Sequence, residues 1–224
     1  MSSPPRLPQN IVQWISEPDD KNLQATRELS RKIDHALGYN ILDTEILVGQ
    51  ENYQAQNWLH LNPQDFQTPY QELFSLVNEL YTQKTHWVDL GAAYGRLGLI
   101  ILSLFKDMEI TSYEISQARV TEAKRIYELL HLNSNTIYQQ DISLKSFLLP
   151  QADIYFIYDY GHREHIQKTL KDLQSIARQK AITVVARGRG TRHWIDTAEP
   201  WLSQVIAPTH KELYSIYRSS DQSY

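Results

Sequence analysis

Short apolar runs rich in β-branched and aromatic residues recur through the middle of the chain, with glycines at or just beyond their ends. The runs are Trp87 to Leu90, Ile110 to Tyr113, Thr136 to Tyr138, Ile154 to Tyr158 and Ile182 to Ala186. Each has the length and composition of a strand. Six of the eight glycines (Gly91, Gly95, Gly98, Gly161, Gly188, Gly190) lie at these seams, where a strand turns into a helix. Between the runs the apolar spacing switches to that of a helix: Leu97, Ile100, Ile101 and Leu104, then Val120, Ala123, Tyr127 and Leu130, then Ile166, Leu170, Leu173 and Ala177. Strands alternating with helices specify an α/β fold with a doubly wound, mostly parallel sheet. After Gly190 the alternation breaks. A short helix is expected up to Pro200, followed by two strands, Leu202 to Ile206 and Leu213 to Tyr217, joined by Ala207 to His210 as an antiparallel hairpin. The expected total is seven strands.

Residues 1–65 lack this pattern and read as an N-terminal helical extension to a domain over residues 66–224. Leu23, Leu29, Ile33 and Leu37 form a helical stripe there, stopped by Gly38 as a C-terminal cap. At the start of the domain, Thr68 reads as a helix N-cap, with Pro69 at the first helical position and Gln71 completing a capping box. The 224 residues contain no cysteine, which removes disulfides, thiolate metal sites and cysteine nucleophiles. With eight histidines but no His-Glu-x-x-His pattern, no metal site is expected. The net charge of −4 provides no global field toward nucleic acid or an anionic membrane. The longest apolar stretch, Leu97 to Phe105, is too short to span a bilayer, and Met1 to Arg6 lacks the apolar core of a signal peptide. A cytoplasmic protein without a membrane partner is expected.

Residues 87 to 98 read Trp-Val-Asp-Leu-Gly-Ala-Ala-Tyr-Gly-Arg-Leu-Gly, a strand, a glycine turn and an amphipathic helix in succession. Such a turn offers backbone N–H groups and a helix N-terminus to a ligand. Asp89, two residues before the first glycine, would repel a pyrophosphate but could meet a cation. A sulfonium cofactor with an amino-acid tail suits that charge better than NAD. Glu114 follows the second strand, where a carboxylate can accept from ribose hydroxyls. Asp141 follows the third, within reach of an adenine amino group. Three acids at three consecutive strand ends make a stronger signal than any one of them.

On these residues the chain resembles the class I, seven-stranded S-adenosylmethionine-dependent methyltransferases, over roughly residues 66 to 218. Val88-Asp89-Leu90-Gly91-Ala92-Ala93-Tyr94-Gly95-Arg96 is similar to the family's first motif, with Ala93 in place of its middle glycine. The resemblance implies S-adenosyl-L-methionine as cofactor, with Asp89, Gly91, Ala93, Gly95, Arg96, Glu114 and Asp141 around it. The antiparallel terminal hairpin agrees with it.

The fourth strand should then face the methyl acceptor. It ends Tyr158-Asp159-Tyr160-Gly161-His162 and lacks the Asn/Asp-Pro-Pro-aromatic tetrapeptide of the family members that methylate amide or adenine nitrogen. Tyr158 and Tyr160 offer rings and Asp159 a carboxylate, which together could guide a cationic amine. Asp159 or His162 could take its proton. Phe66-Gln67-Thr68-Pro69-Tyr70 resembles the Thr-Pro element of seven-stranded protein-lysine methyltransferases. A protein lysine is therefore the favoured acceptor, ahead of a small molecule or RNA. A catalytically silent module that keeps the cofactor fold for binding is the reading from another class. The basic run Arg187 to Arg192 leaves an anionic partner open, and the oligomeric state is not specified.

Overall fold

The computed structural model describes residues 7–17, 22–51, 67–82 and 85–219. Met1 to Arg6, Phe66 and the 65/66 boundary lie outside the described residues. Five strands run parallel: β1 (His86–Leu90), β2 (Glu109–Glu114), β3 (Ile137–Gln139), β4 (Ile154–Tyr158) and β5 (Thr183–Arg187). With β6 (Thr209–His210) and β7 (Tyr214–Arg218) they make one sheet in the order β3-β2-β1-β4-β5-β7-β6. Only β7 runs against its neighbours β5 and β6. The strand order reverses between β1 and β4, so the crevice at their carboxyl ends is where a ligand is expected.

Helices cover both faces, which is why β1, β4 and β5 read as near-continuous apolar runs, whereas β2 alternates between buried and more exposed positions. On one face Trp87, Phe156, Val185 and Ile216 pack with α4 (Tyr70–Glu79), α5 (Arg96–Leu104) and α6 (Gln117–Leu129). The extension joins this face through α1 (Gln9–Ser16), α2 (Leu23–Leu37) and α3 (Ile41–Val48); Ile11, Ile15, Ile33, Leu37 and Ile41 share its core. On the other face Val88, Tyr155, Ile157, Val184 and Tyr217 pack with α7 (Arg163–Ala177), α8 (Arg189–Ala198) and the single turn α9 (Pro200–Ser203). Among the described residues no helix is long and apolar enough to cross a membrane.

The stop after Leu37 is a left-handed Gly38 at φ 78°, whose N–H bonds back to Asp34 and His35 carbonyls. Two expectations fail. Helix α4 begins at Tyr70 with Pro69 in the cap position and no side-chain cap bond, so Thr68 and Gln71 form no capping box. Thr68 is instead buried, and its carbonyl accepts from Arg96 Nη1 at 3.2 Å. The strand expected over Leu202 to Ile206 is also absent. Pro200 starts α9, the Trp201 indole N–H donates to Glu199 Oε2 at 2.7 Å, and Leu202 is fully buried against the sheet's face. Val205 and Ile206 are left exposed, and the pairing with β7 falls to Thr209 and His210.

Candidate cofactor site at the carboxyl ends of β1, β2 and β4

The turn leaving β1 alternates into the left-handed region three times, at Gly91 (φ 87°), Ala93 (φ 49°) and Gly95 (φ 71°). Tyr113 O accepts from the N–H groups of both Gly91 (2.9 Å) and Ala92 (2.8 Å), which pins the turn to the end of β2. Glycine is required at position 91 on two counts. Its φ disfavours any Cβ, and a Cβ there would meet the Cβ of Tyr160 at 2.5 Å. The β4 loop thus lies directly against the turn. Ala93 holds a left-handed φ that costs an L-residue about 1–2 kcal/mol. Ala93→Gly relieves this at an entropic cost of about 0.4–1 kcal/mol. A rise in stability of up to about 1 kcal/mol is expected from denaturant melts, and a fall would show that alanine is unstrained here.

Glu114 ends β2 and is buried beneath this turn, accepting from Ala93 N (2.8 Å) and Ser116 N (3.0 Å), with Arg119 Nη1 3.7 Å away. A carboxylate has about four acceptor positions, so two remain for ligand hydroxyls. Asp89 is buried to 3% exposure on the same side of the sheet. Burial, and secondarily the nearby Glu114 charge, push its carboxyl up to about 8. Such a group stays neutral near pH 7 until a cation arrives. Asp141 lies in the loop after β3, where it accepts from Ser143 N (2.9 Å) and Ser143 Oγ (2.6 Å) in a local turn.

Arg96 begins α5 but turns its guanidinium away from the turn. It forms a buried ion pair with Asp34 of α2, donates to Thr68 O, and stacks 4.9 Å over the Tyr70 ring. The Tyr70 hydroxyl completes the cluster by donating to Asp34 Oδ1 at 2.9 Å. On the acceptor side, Asp159 takes hydrogen bonds from Gly190 N (3.3 Å), Thr191 N (2.8 Å) and Thr191 Oγ1 (2.6 Å), binding the β4 loop to the start of α8. The Tyr160 hydroxyl bonds with Thr169 of α7, and burial raises its pKa. Tyr158 carries the Arg187 guanidinium 4.4 Å over its ring. Arg187 is itself buried and paired bidentately with Glu72 of α4, at 2.7 and 2.9 Å. His162 is exposed at the start of α7, its ring 5.6 Å from that of His165.

The basic run is therefore dispersed. Arg187 is buried with Glu72, and Arg192 donates to Ser215 Oγ and to the carbonyls of Lys211 and Glu212, which leaves Arg189 and His193 exposed.

Gln67, Thr68, Leu73, Asp89, Gly91, Ala93 and Tyr158 are among the residues that line a cavity of ≈ 50 Å³ in this crevice. That admits a polar head group, whereas pockets for whole small ligands run to roughly 300–1,000 Å³. A nucleoside would have to lie outside it, along the turn toward Glu114. A larger opening of ≈ 450 Å³ sits at the other end of the sheet, between Thr85, Asp153 and Thr183. Those residues adjoin the amino ends of β1, β4 and β5, the wrong end for a ligand in such a sheet.

Known folds carry this arrangement. An RNA methyltransferase from Salinibacter ruber, solved with S-adenosyl-L-homocysteine, superposes with a TM-score of 0.50 at 16% identity, over 70% of this chain and 95% of that one. A TehB-like SAM-dependent methyltransferase from Corynebacterium glutamicum gives 0.50 at 8% identity, over 67% and 87%. The chain has the class I methyltransferase fold. No family model and no curated protein sequence matches it.

Within that fold, sequence reasoning brought Asp89, Gly91, Ala93 and Glu114 to one crevice. It did not register Asp34, Glu72 or the amide of Gln67. Asp34 and Glu72 meet partners 62 and 115 residues away, which no periodicity signals. Gln67 stood within the Thr-Pro element, where its neighbours drew the reading.

Proposed function

We propose that the protein is an S-adenosylmethionine-dependent methyltransferase acting on an amine nitrogen, with a protein lysine as the foremost acceptor. The observation that carries the cofactor reading is the pair of buried carboxylates, Asp89 and Glu114, flanking a turn with left-handed residues at 91, 93 and 95. In this reading Glu114 uses its remaining acceptor positions for ribose hydroxyls and also holds the turn through Ala93 N. Asp89 faces the cationic part of the cofactor. Gly91 and Gly95 keep the backbone open to it, and Asp141 lies on the adenine side. The sulfonium supplies the activated methyl group. The chain's own residues supply position, holding acceptor and donor in line.

The lysine reading rests on the aromatic end of β4 and on the Thr-Pro element before α4. In this reading Tyr158, which lines the cavity, is the ring by which an amine would pass, and Tyr160 packs against Gly91 of the turn. Asp159 gives its oxygens to the start of α8 and so holds the β4 loop between them in place, and the exposed His162 is the group that receives the amine proton. Tritiated S-adenosylmethionine, incubated with the protein and separately with protein, RNA and metabolite fractions of a lysate, tests the proposal. Label should enter protein, at a rate that climbs above neutral pH because a lysine amine of reference pKa near 10.4 must first lose a proton. Label in RNA or metabolites alone would replace the acceptor. No transfer, with no binding of S-adenosylhomocysteine by calorimetry, would favour a silent module.

A further inference from the structure

We infer that the side-chain amide of Gln67 binds the α-carboxylate of the cofactor's amino-acid tail, within the cavity beside Asp89. The inference rests on the methyltransferase reading above and assigns one group of the cofactor to one residue of this chain.

Gln67 is only 8% exposed, yet both its Nε2 and its Oε1 are buried without a hydrogen-bond partner. Buried amides are almost always satisfied, because leaving donor and acceptor unpaired forfeits their hydration for nothing. The side chain lines the cavity together with Asp89, Gly91 and Ala93. A donor without a protein partner, facing a cavity, is explained by a ligand that completes it. Its backbone is well anchored on the following residues. The Thr68 carbonyl accepts from Arg96, and Tyr70 N donates to Ser30 Oγ of α2 at 3.2 Å. The amide is thus presented from a fixed frame that the N-terminal helices help to build.

The charges of the cavity decide which group it takes. Asp89 is the acid in its wall, neutral near pH 7 until a cation arrives, and so suits an ammonium. Among the described residues that line it the cation is Arg96, and its charge is already spent on Asp34. A carboxylate entering beside an ammonium therefore needs a neutral donor, and Gln67 Nε2 is an unpaired side-chain donor in the lining. An α-amino acid carries these two charges on one carbon, and the ≈ 50 Å³ of space suits that head group while excluding the nucleoside.

Calorimetry on the full chain with three probes separates the possibilities: S-adenosylhomocysteine, 5′-methylthioadenosine, which lacks the amino-acid tail, and decarboxylated S-adenosylmethionine, which keeps the ammonium alone. Gln67→Leu, close in size, should weaken S-adenosylhomocysteine by about 10- to 100-fold, the usual worth of a hydrogen bond to a charged group. Its affinity for the other two should stay within about twofold, which also shows that the variant's site is folded. Gln67→Glu should lose still more for S-adenosylhomocysteine, through carboxylate repulsion, and bind the decarboxylated probe at least as well as wild type. Equal losses on all three probes would make Gln67 a packing residue and overturn the inference, as would unchanged binding of S-adenosylhomocysteine. Wild-type protein that binds none of the three would overturn the methyltransferase reading itself, and this inference with it.

Discussion

Asp89→Asn is expected to raise the melting temperature of the ligand-free protein at pH 8 while leaving it nearly unchanged at pH 4. The Asp89 carboxyl is buried, and its pKa is pushed from 3.8 to about 8, first by burial and then by Glu114. Below about pH 4 the group is protonated in both folded and unfolded chains and costs nothing. As the pH rises, the unfolded chain ionises while the folded one keeps its proton, so the folded state binds more protons and stability falls up to about pH 8. At roughly 1.4 kcal/mol per pH unit, the loss across this window is at most about 6 kcal/mol. An asparagine of the same shape does not titrate and escapes it, so melting at pH 8 should rise by on the order of 10 °C for a chain of this size. The same substitution should weaken S-adenosylhomocysteine binding, because the carboxylate that destabilises the empty site is the one offered to the ligand's cation. Wild-type binding should also release a proton near pH 7, visible as a binding enthalpy that changes with buffer. Parallel melting curves against pH for the two proteins would mean that water reaches Asp89 and that its pKa is ordinary.

What the sequence could reveal follows from the range over which each feature is specified. Strands β1, β4 and β5 are local: a β-branched or aromatic run, buried on both faces, announces itself over five residues. The turn after β1 is equally local, since Gly91 and Gly95 mark its left-handed positions. Glu114 and Asp89 were legible because strand ends in a parallel sheet share one edge. The failures are of another kind. Leu202 to Ile206 has the composition of a strand, but Pro200 and the Glu199 to Trp201 bond start a helical turn that buries Leu202 first. Arg96, expected at the cofactor, and Arg187, in the basic run left open to an anionic partner, each pair with an acid far off in the chain. Asp159, expected beside the acceptor, also bonds the start of α8 across 31 or 32 residues. In each case a tertiary partner decides what a charged side chain does, and spacing along the chain carries no trace of it.

The Asp34–Arg96 pair yields the other large effect. Both residues are nearly inaccessible, at 2% and 4% exposure, and the Tyr70 ring and the Thr68 carbonyl close the cluster around them. Arg96→Met leaves the Asp34 charge buried with the Tyr70 hydroxyl but no cation, which should cost about 3–5 kcal/mol, the usual penalty for orphaning one half of a buried pair. Asp34→Leu should cost a similar amount for the converse reason. The double variant Asp34→Leu, Arg96→Met removes both charges, and such apolar replacements are often neutral or better. Its melting temperature should therefore recover most of the loss. Cofactor affinity should not recover with it, because Arg96 Nη1 also holds the Thr68 carbonyl next to Gln67, and α5 begins at Arg96, directly after Gly95 of the turn. Stability and binding are expected to part company in the double variant, which identifies the pair as the link by which the N-terminal helices set the geometry of the cofactor site. A loss below about 1 kcal/mol in Arg96→Met would place the pair in contact with solvent. Full recovery of binding in the double variant would show that the extension only adds stability.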